Sequence, residues 1–265
     1  MTEQEYRKHP AISRSELWRI HDSPQKFKYF KEHPEDPTPA LLFGKVFHKM
    51  ALEPETFDLE FAVKPEVDRR TTEGKQQWLD FLDRLGEKAV IPAEMYEQAK
   101  AMCEALAAVP FAQNLLNGPR EVPFFWVDEQ TGEECKCRTD CLNTQYSQPI
   151  IVDVKSATDA STDIFIRDAI KYGYDFQAAM YAEGVSKHIQ QRPLFVFIVV
   201  EKDPPYAVNI LQADELLLQR GHNLFREFID IYHDCKLTGN WYGYLGKNSQ
   251  INTLALPAWL AKEVT

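Results

Sequence analysis

Read by its apolar spacing, the chain is helical at its start, strand-rich in its middle and mixed afterwards. Over residues 40–52 the apolar positions Leu42, Phe43, Val46, Phe47 and Met50 recur at helical spacing. Helices are also expected over residues 71–85 and 92–109, the second opening on Pro92-Ala93-Glu94. Nearer the start, Ser13 and Ser15 precede a short helix to about residue 21, and Ser23-Pro24 opens another, with serine as cap and proline in the first turn. The stretch 34–39 holds three prolines and reads as a turn or linker.

The pattern then changes. Strands are expected over residues 122–128, 134–143 and 149–155, with Gln130-Thr131-Gly132 as the first turn. Residues 159–171 and 176–188 read as helices. Residues 193–200 form a continuous apolar run, read as a buried strand, with residues 206–211 as its neighbour across Asp203-Pro204-Pro205. A long amphipathic helix is expected over 213–234. Residues 238–265 follow neither spacing; their apolar members Trp241, Tyr242, Tyr244, Leu245, Leu254, Leu256, Trp259 and Leu260 are expected in the core rather than at a subunit contact. The chain shows no internal repeat and no low-complexity tract.

Candidate chemistry gathers in the strand-rich part. Asp140 lies in one strand, and Asp153-Val154-Lys155 follows the apolar run Pro149-Ile150-Ile151-Val152 at the end of the next. Two hairpin strands bring both carboxylates to one point. Residues i and i+2 of a strand share a face, so Asp153 and Lys155 point one way and Val154 the other. Two carboxylates hold a divalent cation, and a lysine beside it holds an attacking water or helps to deprotonate it; these are parts for phosphodiester hydrolysis. On its own, acid-x-Lys is more often a solvated strand face.

Three further features add weight. His48 lies one turn after Gly44 on the flank of the apolar stripe, and neutral imidazole is a metal ligand. Glycine costs about 1 kcal/mol against alanine within a helix, so Gly44 points to close approach by another backbone or a ligand. Gln177 and Tyr181 sit at i and i+4 on one helix face and offer neutral hydrogen-bonding groups. Glu121 opens the first strand and reaches the same point if that strand pairs with residues 136–143. Each has a bland counterpart: a core histidine, polar tips of an amphipathic helix, a surface acid.

Taken in order, Gly44-x-x-x-His48, Glu121, Asp140, Asp153-x-Lys155 and Gln177-x-x-x-Tyr181 resemble the RecB/lambda-exonuclease-like branch of the PD-(D/E)xK nuclease superfamily. Ile12-Ser13-Arg14-Ser15-Glu16-Leu17, Ser23-Pro24-Gln25-Lys26-Phe27 and Cys135-Lys136-Cys137-Arg138-Thr139-Asp140 narrow the resemblance to the nuclease domain of the RecE (exonuclease VIII) group, over about residues 12–237. The resemblance implies an α/β fold with a PD-(D/E)xK, restriction-endonuclease-like core: a mixed central sheet of about five strands flanked by helices. It implies one domain over 1–265, with a helical N-terminal part at about 12–116, a nuclease core at about 40–52 plus 121–237, and a tail at 238–265.

Roles follow by resemblance alone. His48, Asp140, Asp153 and the backbone carbonyl of Val154 would ligate the metal. Lys155 would position the water and help shed its proton. Gln177 and Tyr181 would orient the scissile phosphate, and Glu121 would lie near a second metal position. Thr139 stands where many members have proline. Oxygen ligands with one imidazole suit Mg²⁺, with Mn²⁺ as a substitute. The implied activity is processive 5′-to-3′ digestion of double-stranded DNA ends, leaving 3′ single strands for a single-strand annealing protein of the RecT type. A homo-oligomeric ring, trimer or tetramer, is implied with it. An endonuclease or flap nuclease of the same superfamily, and a non-catalytic DNA-binding protein of this fold, stay open as alternatives.

Composition changes the picture in two places. An apolar fraction of 44% indicates a folded chain, and 265 residues suit one domain. No run approaches the ~18 apolar residues of a membrane span, and Met1-Thr2-Glu3-Gln4-Glu5 lacks the start of a leader; a cytoplasmic location without membrane contact is expected. Cys135, Cys137 and Cys141 cluster without a Cys-x-x-Cys pair, which disfavours a zinc ribbon, and no iron–sulfur cluster is expected. The net charge of −10 runs against binding a polyanion. Residues 7–31, however, hold seven basic residues against two acidic ones. That stretch is the expected DNA-facing edge, with Ser13, Arg14 and Ser15 donating to a phosphate.

Overall fold

The computed structural model describes residues 1, 3–249 and 251–256. The chain opens with helix α1 (Glu3–Lys8), a two-residue strand β1 (Ile12–Ser13), α2 (Arg14–Leu17) continued by a 3-10 turn (Trp18–His21), and α3 (Pro24–Glu32). Ser13 caps α2 in a reciprocal capping box with Glu16, and Ser23 caps α3, accepting from Lys26 N, ahead of Pro24. Helix α4 (Pro39–Leu52) starts on the last of the three prolines, with Thr38 as its cap. Then follow the short α5 (Phe57–Glu60) and β2 (Phe61–Val63), the longer α6 (Thr72–Leu85) and the short β3 (Ala89–Ile91). β2 and β3 form a small parallel sheet that the apolar spacing does not announce.

The expected helix over 92–109 is α7 (Ala93–Ala107); α8 (Pro110–Leu115) restarts at Pro110. Next come β4 (Arg120–Val127), β5 (Glu134–Asn143) and β6 (Ile150–Ala157), then α9 (Thr162–Lys171), α10 (Tyr174–Ile189), β7 (Leu194–Glu201), β8 (Val208–Gln212) and α11 (Glu215–Thr238). Asp214 caps α11, its Oδ1 accepting Leu217 N at 2.7 Å, and Gly239 ends it at φ 71°.

Among the described residues the main sheet has six strands, in the order β1-β5-β6-β7-β8 with β4 on the other edge of β5. Five match the expected strands; β1 is the addition. β6 and β7 run parallel, as a crossover through α9 and α10 permits. The sheet is buried on both faces. Odd positions such as Ile151, Phe195, Phe197 and Val199 pack with Phe176, Met180, Phe225 and Ile229 of α10 and α11. Even positions such as Val152, Val154, Val196 and Ile198 pack with Val46, Phe47, Met102 and Leu115 of α4, α7 and α8. This is why residues 193–200 read as an unbroken apolar run.

In the tail, Trp241 stacks on Phe27 with ring centroids 5.3 Å apart, and the Tyr242 carbonyl accepts Gln25 N at 3.1 Å. The core expectation fails for Tyr244, Leu245, Leu254 and Leu256, which are exposed because no described element covers them. Trp259 and Leu260 lie outside the described residues. Among the described residues, no helix is long and apolar enough to cross a membrane.

Candidate functional site

The site forms where two strands part. β5 and β6 pair antiparallel over Cys141↔Val152, Leu142↔Ile151 and Asn143↔Ile150. The next pair in that register is Asp140 opposite Asp153, and there the ladder stops. Beyond it, the same edge of β5 is taken by β1, at Ile12↔Cys135 and Ser13↔Lys136. In the gap, Asp140 Oδ2 accepts the Val154 amide at 2.7 Å. A carboxylate thus satisfies a backbone donor that the strand no longer serves.

β5 also reverses its faces here. Cys135 and Cys137 lie in the α10–α11 core, but Cys141 lies in the α4–α7 core. A step of four keeps one face in a regular strand, so the reversal falls between Cys137 and Cys141. Across the ladder, the paired positions Arg120↔Cys141 and Val122↔Thr139 flank Glu121 and Asp140, which are not paired. Glu121 adopts φ 53°, a conformation costing a non-glycine residue about 1–3 kcal/mol unless its surroundings impose it. Arg138 imposes it: its Nε lies 2.6 Å from Glu121 Oε2 and 3.3 Å from the Glu121 carbonyl. The twist turns Glu121 and Asp140 toward α4.

There His48 meets both. Its Nε2 is 2.9 Å from Asp140 Oδ2 and its Nδ1 is 3.5 Å from Glu121 Oε1. One ligand atom from each of His48, Glu121 and Asp140 falls within 4.8 Å of the others. The His48 side chain is 33% exposed, against 11% for Asp140 and 12% for Glu121, so the imidazole is the open side of the cluster. Burial pulls His48 down, but Asp140, then Glu121 and Asp153, more than offset this and raise it to about 9. Burial pushes Glu121 up to about 7, with Asp140 adding and His48 opposing. Burial acts against an ionised Asp140 as well, yet His48, Lys155 and the Val154 amide hold its carboxyl below the usual range.

Asp153 lies beside this cluster with other partners. One oxygen pairs with Lys155 and the other accepts Gln177 Nε2 from α10. Burial alone would lower Lys155, but Asp153, Asp140 and Tyr174 raise it, so it stays an ammonium. Its Nζ also lies 4.8 Å from the centre of the Tyr174 ring. Val154 points into the opposite core, as the strand alternation requires. Tyr181 is half-buried, its ring edge-on to Phe195 at 6.4 Å, one turn of α10 beyond Gln177.

The donors fit a divalent cation: two carboxylates and an imidazole are all metal ligands. Glu121 Oε1 is buried and accepts no hydrogen bond, which costs free energy in a protein without a cation to meet it. His48, Glu121 and Asp140 would hold the ion, and Asp153 lies close enough to interact with His48 and Asp140.

Other expected positions behave differently. An added Cβ at Gly44 meets nothing within 4 Å, so no backbone approaches there. The expected backbone contact is absent because α4 presents that face, one turn before His48, to open space. Ser13 is spent on its cap, its Oγ 2.6 Å from Glu16 Oε2, and Ser15 is exposed. Arg14 turns inward and donates to the carbonyls of Tyr172 and Gly173. Arg138 and Tyr174 were not singled out by sequence. The only available signals were Arg138 two residues before Asp140 and Tyr174 three before Gln177.

Residues 13–252 match the family described as PDDEXK-like domain of unknown function (DUF3799). No curated protein matches. Among solved structures, the chain is similar to one described as "Putative exonuclease" from Eubacterium rectale, with TM-score 0.63 and 13% identity over 99% of this chain and 97% of that one. At that identity the likeness shows the fold. A second, SSO0001, has TM-score 0.32 and 14% identity over 71% of this chain and 85% of that one. The splayed strands carrying Asp140 and Asp153-x-Lys155 and the match across most of the sequence agree: the chain belongs to the PDDEXK-like (DUF3799) family.

Proposed function

We propose that the protein is a metal-dependent deoxyribonuclease and that it digests double-stranded DNA ends from 5′ to 3′. The observation that carries this reading is the convergence of His48, Glu121 and Asp140, from three elements, beside an Asp153–Lys155 pair. The solved neighbour described as "Putative exonuclease" supports the same class of reaction. The ion expected is Mg²⁺, with Mn²⁺ as a substitute.

A divalent cation, when bound, stabilises charge on the phosphate and lowers the pKa of water. The chain's own residues do the rest. His48, Glu121 and Asp140 would hold the cation. Lys155, held charged by Asp153, donates to the attacking water or to a phosphate oxygen. Gln177 holds Asp153 from behind, so that the carboxylate and the ammonium keep their places. The open face above Gly44 leaves room for the substrate's backbone. In this reading the product carries 3′ single strands for an annealing protein, and a ring of subunits would hold the duplex at the site.

The test is digestion of linear duplex DNA labelled at one 5′ end, with Mg²⁺ or EDTA, beside a covalently closed circle. Early, Mg²⁺-dependent release of the 5′ label with the circle intact is expected. A cut circle would assign the same centre to an endonuclease. No cleavage with either Mg²⁺ or Mn²⁺ would make it a binding protein of this fold.

A further inference from the structure

The turn between α9 and α10 carries two tyrosines that the hydrolytic reading leaves unused. The Tyr174 ring lies beside Lys155, 4.8 Å from its Nζ. Tyr172 continues outward, its ring 6.0 Å from that of Tyr174 with the planes 37° apart, and it is 45% exposed. Lys171 Nζ lies 5.0 Å from the Tyr172 ring. A single exposed tyrosine is unremarkable on a protein surface. This one has its backbone carbonyl held by Arg14, and its ring adjoins Tyr174, which lies beside Lys155.

The fixing is specific. Gly173 sits between the tyrosines at φ 67°, and an added Cβ would come within 2.4 Å of the Trp18 ring. Arg14 donates to the carbonyls of Tyr172 and Gly173 and lies 5.6 Å from the centre of the Trp18 ring. Phe165 and Phe197 back Tyr174 at 5.8 Å and 6.0 Å. An arginine, a tryptophan and a glycine are therefore committed to one short turn, which sets the exposed ring of Tyr172 against the half-buried ring of Tyr174 beside a cation.

We propose that Tyr172 and Tyr174 form a stacking face for an unpaired terminal nucleobase next to the phosphate at Lys155, with Lys171 meeting the adjoining backbone phosphate. The ligand class is a frayed or single-stranded nucleotide. Every base has a π-face, so such a platform is tolerant of sequence, and the neighbouring cation adds a salt-dependent contact. The inference deepens the nuclease reading and rests on it: a face that captures an opened terminal base would favour ends over closed duplex.

The experiment uses duplex DNA carrying 2-aminopurine at its 5′-terminal position, with Ca²⁺ replacing Mg²⁺ so that binding is read without cleavage. Binding to the wild type should quench the fluorophore. Tyr172→Ala should lose the quench and weaken binding about tenfold or more, while Tyr172→Phe keeps both. Matched circular dichroism melts confirm that each variant is folded. Equal quenching by wild type and Tyr172→Ala, or none by the wild type, would overturn the inference. The two readings fail separately: a quench retained by a protein that cannot cut DNA in Mg²⁺ removes the nuclease, and wild-type cleavage with wild-type KM and quench in Tyr172→Ala removes the stacking face.

Discussion

Asp140 Oδ2 accepts the amide of Val154 at 2.7 Å, across the point where β5 and β6 stop pairing. The same oxygen lies 2.9 Å from His48 Nε2. One carboxylate oxygen therefore closes a backbone vacancy and anchors the imidazole of a helix on the other side of the sheet. The break in the ladder and the site are the same feature.

The first prediction concerns the stability cost of that cluster. Glu121 titrates at about 7 in the folded protein against an ordinary value of 4.5. Between those values the folded state holds a proton that the unfolded state has released, so stability falls as pH rises through the window. Glu121→Gln removes this loss. In thermal melts with EDTA, the variant should match the wild type near pH 5 and melt higher at pH 8, by roughly 2–4 °C for each kcal/mol relieved. Its affinity for Mn²⁺ should fall.

His48 supplies the second. Its pKa of about 9 keeps it protonated at neutral pH while no cation is present, and a ligating imidazole must be neutral. Cation binding should therefore release a proton, and affinity should rise with pH up to about 9. Calorimetry of Mn²⁺ binding near neutral pH, in buffers of different ionisation enthalpy, should show between one and two protons released by the wild type, one from His48 and a fraction from Glu121. His48→Gln should release fewer.

A third prediction separates holding the metal from doing the chemistry. Lys155→Met leaves the cluster of His48, Glu121 and Asp140 intact, so Mn²⁺ binding should change little. Single-turnover cleavage should fall by roughly a hundredfold or more. Gln177→Ala acts through Asp153, and its loss should be smaller, on the order of 10–100-fold.

The fourth lies away from the site. Arg226 of α11 pairs with Asp128 at the end of β4, where Thr131 N and Oγ1 also donate to the carboxylate. Burial opposes ionisation, but Arg226 and Thr131 hold Asp128 down at about 2, against an ordinary 3.8. This stabilisation is present in full above pH 3.8 and is lost as pH falls through about 2. Arg226→Ala should cost about 1–3 kcal/mol at pH 7 by urea unfolding. The gap from wild type should close as the solution is acidified.

Much of the frame was legible in sequence because it rests on local rules. Apolar spacing and capping residues placed α4, α6 and the first three long strands to within a residue or two, and β5 at the same bounds. Strand alternation put Asp153 and Lys155 on one face and Val154 on the other. What stayed hidden depends on distant parts of the chain. β1 is two residues long and is a strand only because β5 offers it an edge. The positive φ of Glu121 is held by Arg138 across the ladder, next to the point where β5 reverses its faces. The inward turn of Arg14 depends on carbonyls 158 and 159 residues away, so a phosphate contact and a structural one look alike in sequence.

In the proposed function, His48, Glu121, Asp140 and Asp153 with Lys155 form one metal-dependent hydrolytic centre. The most direct measurement is hydrolysis of linear duplex DNA by wild type and by Asp140→Asn, purified alike and assayed with Mg²⁺ and with EDTA. Cleavage by the wild type only with Mg²⁺, and none by a folded Asp140→Asn, is expected. Equal cleavage by the two proteins, or cleavage by the wild type in EDTA, would contradict it.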